Sequence, residues 1–153
     1  MPIFGGVRKE TLEFLLAFCP VVTVTAHDFF FREDEPGDSL FVLESGKADV
    51  LKSWRGEDCL IQTLAAGDCF GEMAVIDHCA RSASVRAVED CAAIRMSSAD
   101  LYRVYGHDIK QFTMIQMNMG REVCRRLRDA DNRLFSASMG APIADAGPGL
   151  LAE

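Results

Sequence analysis

The segment FGEMAVIDHCARSASV, residues 70–85, is the most informative stretch of the chain. Gly71 permits a close backbone approach, and residues 72–76 are predicted to form one helical turn. The unsatisfied N–H groups at the start of such a turn favour an anion. Arg81 stands among small residues that leave space around its guanidinium. This arrangement is suited to binding a phosphate through two parallel hydrogen bonds.

Glu72 introduces a second kind of chemistry into the same segment. A carboxylate opposes a phosphate, but it accepts hydrogen bonds from a hydroxyl group such as that of a ribose. One carboxylate for a sugar and one arginine for a phosphate together describe a nucleotide site. The alternative is that Glu72 and Arg81 pair with each other or face solvent, and the segment alone leaves both interpretations open.

Short strands surround this segment from residue 21 to residue 96. Runs of β-branched, aliphatic and aromatic residues alternate with turn sequences such as EPGD at 35–38 and SGK at 45–47. The predicted strands are residues 21–26, 29–31, 40–43, 48–51, 59–64, 84–88 and 92–96. Short strands at a spacing of roughly ten residues predict a sandwich, jelly roll or barrel. Because strands and long helices do not alternate, the pattern disfavours a doubly wound fold.

Helical periodicity is found on both sides of the strands. Apolar residues recur at steps of three and four within residues 3–20. Ser97 or Ser98 can cap a short helix over residues 99–105, and Gly106 suits its end. A longer helix is predicted over residues 108–135. Its apolar stripe consists of Phe112, Ile115, Met119, Val123 and Leu127.

The composition excludes several classes of protein. The 153 residues suffice for about one domain, and 49% hydrophobic with 25% charged residues is the mixture of a globular chain. A net charge of −7 disfavours non-specific binding to nucleic acid or anionic lipid. No stretch reaches the roughly 18 apolar residues of a transmembrane helix. Glu13 and Pro20 interrupt the one run that resembles a signal peptide. We therefore expect a soluble, cytoplasmic protein.

Metal, disulfide and catalytic sites are not indicated. The six cysteines lack the short spacings of zinc or iron–sulfur ligands, so we expect reduced and mostly buried thiols. His27, His78 and His107 lie in three different zones of the chain, which disfavours a metal-dependent cupin enzyme. Neither a Gly-x-Ser-x-Gly elbow nor a P-loop occurs. We expect no enzyme activity and no cofactor.

Three ordered segments resemble one known family. They are HDFFFREDEPGDSLFVL at 27–43, ESGKADV at 44–50, and GDCFGE at 67–72 leading to RSASV at 81–85. Their order and intervals are similar to those of the cyclic nucleotide-binding domain found in catabolite activator proteins and kinase regulatory subunits. The resemblance implies a mainly β (α+β) domain over residues 1–135, and the Ala, Gly and Pro content of residues 136–153 predicts a disordered tail. In that domain, helices at 3–20 precede an eight-stranded β-roll at 21–96, and a helical lid with one long helix follows at 97–135.

The resemblance also implies a role for individual residues. Glu72 matches the glutamate that binds the ribose 2′-hydroxyl, and Arg81 matches the arginine that pairs with the cyclic phosphate. The other implied ligand-binding positions, which contribute mainly through their backbone, are Gly71, Met73, Ala74, Ser82 and Ala83. On the long helix, Asp131 is either a contact to the adenine amino group or a solvated residue.

Five positions depart from the family pattern, and two of them, Met73 and Val75, replace other aliphatic residues, which a core tolerates. Ala80 replaces a proline that usually precedes the arginine. His27 and Asp34 replace two turn glycines, and both residue types tolerate a positive φ. None of these changes removes a group that would contact the ligand.

The function implied by the resemblance is that of a cyclic-nucleotide receptor. Cyclic AMP is favoured over cyclic GMP on base rates only. Binding would be transmitted through the C-terminal helices to an effector protein that the sequence does not identify, and residues 108–135 could form a homodimer. One alternative is an interaction module with the same fold and no ligand. Another is a DNA-binding regulator, which the short segment after the long helix disfavours although residues 121–133 contain five arginines.

Overall fold

Two antiparallel sheets form the centre of the protein. A computed structural model describes residues 2–140. The strands are β1 (Val21–Val24), β2 (Phe29–Phe31), β3 (Ser39–Ser45), β4 (Ala48–Trp54), β5 (Glu57–Leu64), β6 (Cys69–Phe70), β7 (Ser84–Ala87) and β8 (Cys91–Ser97). The helices are a 3₁₀ turn (Pro2–Phe4), α1 (Lys9–Leu16), α2 (Glu72–Asp77), α3 (Ser98–His107) and α4 (Ile109–Ser138).

The strand order is that of a roll. The first sheet has the order β1-β8-β3-β6 and the second sheet has the order β2-β7-β4-β5. β3 pairs with β8 from Ser39 opposite Ser97, and β4 pairs with β5 from Ala48 opposite Leu64. The predicted eight-stranded β-roll with flanking helices is therefore confirmed. The two-residue strand β6, too short for a periodic pattern, was not among the predicted strands.

Two apolar clusters lie on opposite faces of the first sheet. Successive side chains of a strand point to opposite faces, and β3 shows this directly. Leu40 and Val42 belong to a cluster that includes residues of α1, α3 and α4, whereas Phe41 and Leu43 belong to a cluster between the sheets. β3 is buried on both faces, which explains why its sequence is an unbroken apolar run rather than an alternating one.

Some of the observed helix ends lie where the sequence predicts them, and others do not. Ser97 caps α3 in a capping box with Asp100, as predicted. Gly106 does not end that helix: α3 continues to His107, and Asp108 is the residue that follows. Helix α4 continues through residues 136–138, where the tail was expected to begin. The rest of the expected tail, 141–153, lies outside the described residues.

The chain divides after Met119 into two compact units, which the structure describes over residues 2–119 and 120–140. The first contains both sheets and the beginning of α4. In the described part of the second, Glu122 pairs with Arg125 at 2.6 Å and with Arg126 at 3.1 Å. Across residues 2–140, no helix combines the length and the apolar character that a membrane crossing requires.

The cysteines are less buried than expected. Cys19, Cys69 and Cys91 are buried, and burial raises the pKa of the Cys19 thiol to about 12. The other three cysteines are exposed, namely Cys59, Cys79 and Cys124. All six lie in the described part of the chain, and no disulfide joins any two of them there.

Candidate functional site

Gly71 connects β6 to the short helix α2 in a conformation that favours glycine. Its φ of 79° lies in the left-handed region. A Cβ at this position would lie 2.7 Å from Nη1 of Arg81 and 3.2 Å from the carbonyl oxygen of Ser39. The backbone therefore approaches the arginine closely, as the sequence predicted from this glycine.

Helix α2 places the other early residues of the segment. Glu72 and Ala74 are buried, with exposed fractions of 1% and 3%. Met73 between them is 45% exposed. A carboxylate this deeply buried requires polar partners, so the burial of Glu72 indicates a functional role rather than a solvated surface position. The alternative that Glu72 faces solvent is excluded.

Arg81 is also buried, with 6% of its surface exposed. Nη1 donates a hydrogen bond to the carbonyl oxygen of Gly71 at 3.0 Å. The guanidinium carbon lies 4.0 Å from the centre of the Phe31 ring, a distance at which a cation is attracted to the aromatic face. The Nε atom is buried and has no hydrogen-bond partner within the described residues.

The electrostatic environment of Arg81 is unusual for an arginine. Burial lowers the pKa of the guanidinium, and the charge of Asp38 is the largest opposing influence. Removal from water penalises the charged form, and an arginine in a protein nevertheless stays protonated. A buried cation with an unsatisfied donor is a natural binding site for an anion.

The loop between β2 and β3 holds the backbone of Arg81. Asp34 donates its N–H to the Arg81 carbonyl, and Arg81 donates its N–H to the Glu35 carbonyl, both at 2.9 Å. A Cβ at Gly37 would clash with Nε and Cζ of Arg81 and would lie 2.9 Å from its Cδ. Asp34 has a φ of 68° and His27 one of 73°, which confirms the positive φ expected at both positions.

The segment after Arg81 is held by a pair of opposite charges. Lys52 donates hydrogen bonds to Oε1 of Glu33 at 2.6 Å and to the carbonyl oxygen of Ser82 at 2.8 Å. Glu33 donates its N–H to Oγ of Ser84 at 2.8 Å. Ser82 is exposed and Ala83 is half-buried. Gly37, Lys52 and Glu33 could not be recognised from the sequence, because their importance arises only from what they contact.

A cavity of about 320 Å³ adjoins Arg81. Its apolar lining comes from both sheets, and its charged lining includes a second arginine, Arg95. Arg95 donates to Oγ of Ser39 at 3.0 Å and lies 3.5 Å from Asp38. The lining residues are Val22, Val24, Phe30, Phe31, Glu35, Pro36, Asp38, Ser39, Phe41, Arg81 and Arg95.

Asp131 is exposed on α4 and belongs to the second compact unit. Its contact with a base therefore stays a prediction. Within residues 2–140, no group of three His, Cys, Asp or Glu side chains is arranged to hold a metal ion. Among the predicted site residues, the structure brings Gly71 against Arg81, and Oγ of Ser82 donates to Sδ of Met73 at 3.7 Å.

A family model described as the cyclic nucleotide-binding domain matches residues 21–108. The chain belongs to this family. Those residues contain the whole roll, α2 and Arg81. The resemblance inferred from three sequence segments is thereby confirmed, and the match begins at the first residue of β1 and ends just beyond α3.

Known members of the family are similar over most of this chain. The Cyclic AMP receptor protein of Thermus thermophilus is 28% identical over 134 residues, 87% of this chain and 60% of that protein. Human cGMP-dependent protein kinase 2 is 32% identical over 114 residues, 73% of this chain and 15% of the kinase. The crystal structure of Thermus thermophilus Catabolite Activator Protein has a TM-score of 0.79 and 27% identity, covering 90% of this chain and 63% of that one. The chain thus spans only part of each of these proteins.

Proposed function

We propose that this cyclic nucleotide-binding domain is a sensor that binds cyclic AMP at residues 71–83 and performs no catalysis. The observation that carries the proposal is the buried Arg81, whose Nε lacks a partner among the described residues and whose Nη1 is fixed by Gly71. In the proposed complex Arg81 binds the cyclic phosphate and Glu72 accepts a hydrogen bond from the ribose. Ser82 and Ala83 supply further donors, and Met73 covers the ligand from α2.

The choice of nucleotide is part of the proposal. One relative is named a receptor for cyclic AMP, and another is a kinase dependent on cGMP. Cyclic AMP is proposed on base rates only, and Asp131 stays either a contact to the adenine amino group or a solvated residue. Both nucleotides must therefore be compared in the same experiment.

The decisive experiment measures thermal unfolding with and without each nucleotide. A ligand at about a hundred times its dissociation constant adds roughly 2.7 kcal/mol, which corresponds to a rise of several degrees in Tm. We expect this rise for the wild type and its loss in Arg81→Ala. Arg55→Ala is the matched control, because that arginine lies over Trp54 at the β4–β5 turn and should leave the rise unchanged. A wild type that responds to neither nucleotide at millimolar concentration would refute the proposal.

Glu72 is tested by changing the ligand together with the residue. Wild type should bind cyclic AMP more tightly than its 2′-deoxy analogue, because only the former presents a hydroxyl to the carboxylate. Glu72→Gln should reduce that difference, since a hydrogen bond to a charged acceptor is stronger than one to a neutral acceptor. An equal preference in the two proteins would exclude this role for Glu72.

Nucleotide binding is also proposed to be transmitted to another protein. The C-terminal helices would respond to the nucleotide in the cytoplasm and alter contacts with an effector protein. An interaction module without a ligand is the alternative, and it predicts no thermal response. Direct DNA binding is disfavoured because α4 neutralises its own charge: Arg125 lies 2.6 Å from Glu122 and 3.3 Å from Asp129.

A further inference from the structure

Lys52 is a strand residue whose charged end reaches the phosphate-binding segment. It lies on β4, where the preceding residue Leu51 is opposite Ser84 of β7. This register brings Lys52 beside the residues that enter β7. Its ammonium group donates to the carbonyl oxygen of Ser82 at 2.8 Å and to Glu33 at 2.6 Å.

Glu33 fixes the position of this ammonium group. Its Oε2 accepts the N–H of Ser53 at 2.9 Å while Oε1 accepts from Lys52. Its own N–H is donated to Oγ of Ser84 at 2.8 Å. The hydrogen bond from Lys52 and that from Ser53 both lower the pKa of the Glu33 carboxyl, which favours its charged form. Glu33 is thus bound both to β4 and to β7, the strand that Ser82 precedes.

The peptide bond after Ser82 transmits this constraint to Ala83. The bond is trans, so its C=O and N–H point in opposite directions within one plane. A donor that fixes the Ser82 carbonyl therefore also fixes the direction of the Ala83 N–H. A cation on the carbonyl oxygen further polarises the peptide and strengthens its N–H as a donor.

We propose that Lys52, held by Glu33, is a positioning residue that orients the Ala83 N–H towards the cyclic phosphate. This inference rests on the proposed function and extends it to a residue that does not contact the ligand. Arg81 supplies charge to the phosphate, whereas Lys52 determines the geometry of the neighbouring amide. The affinity for the nucleotide then depends on a side chain outside residues 71–83.

The test compares Lys52→Met, Lys52→Arg and the control Lys9→Met, which removes an exposed lysine on α1. The affinity for cyclic AMP is measured by calorimetry, and the Ala83 amide is followed by ¹⁵N NMR with and without nucleotide. We expect Lys52→Met to weaken binding about tenfold, the effect of losing a hydrogen bond from a charged group. Lys52→Arg should restore most of the affinity, and Lys9→Met should bind as the wild type does.

The Ala83 amide separates positioning from a general loss of stability. In the ligand-free protein its chemical shift should move in Lys52→Met and not in Lys9→Met. On nucleotide binding its downfield shift should shrink in Lys52→Met, while that of Gly71 is retained. If the wild type binds nucleotide and Lys52→Met has the same affinity or the same Ala83 amide shift, the role of Lys52 is overturned while the proposed function stands. A wild type that binds neither nucleotide would overturn the proposed function and this role together.

Discussion

Arg81 shows how an aromatic ring and a glycine allow a charged side chain to be buried. The centre of the Phe31 ring lies 4.0 Å from the guanidinium carbon, and the Gly71 carbonyl oxygen accepts a hydrogen bond from Nη1. These contacts compensate in part for the hydration that the guanidinium loses when it is buried. The Nε proton stays unsatisfied within the described residues, so an anionic ligand has a favourable place to bind.

Gly37 sets the space available to Arg81, and Gly37→Ala tests this. The added Cβ would displace the guanidinium, and overpacking of this kind costs about 1–3 kcal/mol. We expect a lower free energy of unfolding and weaker nucleotide binding than in the wild type. Chemical denaturation and calorimetry measure the two effects.

Gly106→Ala is the matched control for Gly37→Ala. Gly106 lies in α3, and a Cβ there would meet no atom within 4 Å. Alanine in a helix should stabilise the protein by about 0.5–1 kcal/mol relative to glycine, with nucleotide affinity unchanged. Equal effects of the two substitutions would show that Gly37 has no special relation to Arg81.

At the scale of elements, the junction between α3 and α4 depends on Asp108. Its Oδ1 accepts the N–H of Lys110 at 3.0 Å and of Gln111 at 3.2 Å, which satisfies the first turn of α4. Its Oδ2 pairs with Arg8, so the same carboxylate also joins α4 to the segment before α1. Hydrogen bonding from Gln111 is the main reason that the pKa of Asp108 lies below its ordinary value of 3.8.

This lowered pKa makes the junction sensitive to acid. The stabilisation from the charged form is present above pH 3.8 and is lost as the pH falls through the lower pKa of the folded protein. Asp108→Asn keeps an effective cap and removes the charge. We expect it to be less stable than the wild type at pH 7 and equally stable near the acid limit. Urea unfolding across this range measures the difference, and a gap independent of pH would contradict the explanation.

At the scale of the whole molecule, the apolar stripe of α4 divides into two parts. Ile115 and Met119 belong to the core of the first unit, and there the stripe folds back on its own domain. Further along, Leu127 is 60% exposed, and Leu134 and Phe135 are each 67% exposed. An apolar surface of this kind on a long helix is typical of an interface.

We therefore predict a homodimer through the helix at residues 108–135. Because Ile115 and Met119 are buried in their own domain, the contacts between the two copies come from Leu127 onward. Sedimentation should give a dimer for the wild type and a monomer for Leu127→Glu, because a buried carboxylate opposes association. Asn132→Glu, at an exposed polar position of the same helix, should stay dimeric. A wild type that is monomeric at high concentration, with and without nucleotide, would exclude the dimer.

The features that the sequence by itself determined are local ones. Apolar runs separated by turn residues predicted short strands, because each reports the conformation of a few adjacent residues, whereas the roll was implied by the resemblance. Ser97 was one of two predicted caps for the same reason, whereas the positive φ of His27 and Asp34 followed from the turn glycines that they replace in the family pattern. Gly71, Glu72 and Arg81 were singled out by the chemistry of their side chains and backbone, and the family resemblance then implied their individual roles.

Only the tertiary structure decided which distant residues support those groups. Phe31 beneath Arg81, Gly37 beside it and Lys52 on the Ser82 carbonyl are contacts between segments 30 to 50 residues apart. Nothing in a lysine on a strand indicates which carbonyl its ammonium group will reach, since strand register and loop packing set that distance. The same holds for the exposure of Cys59 and Leu127, because burial depends on what the rest of the chain places over a side chain.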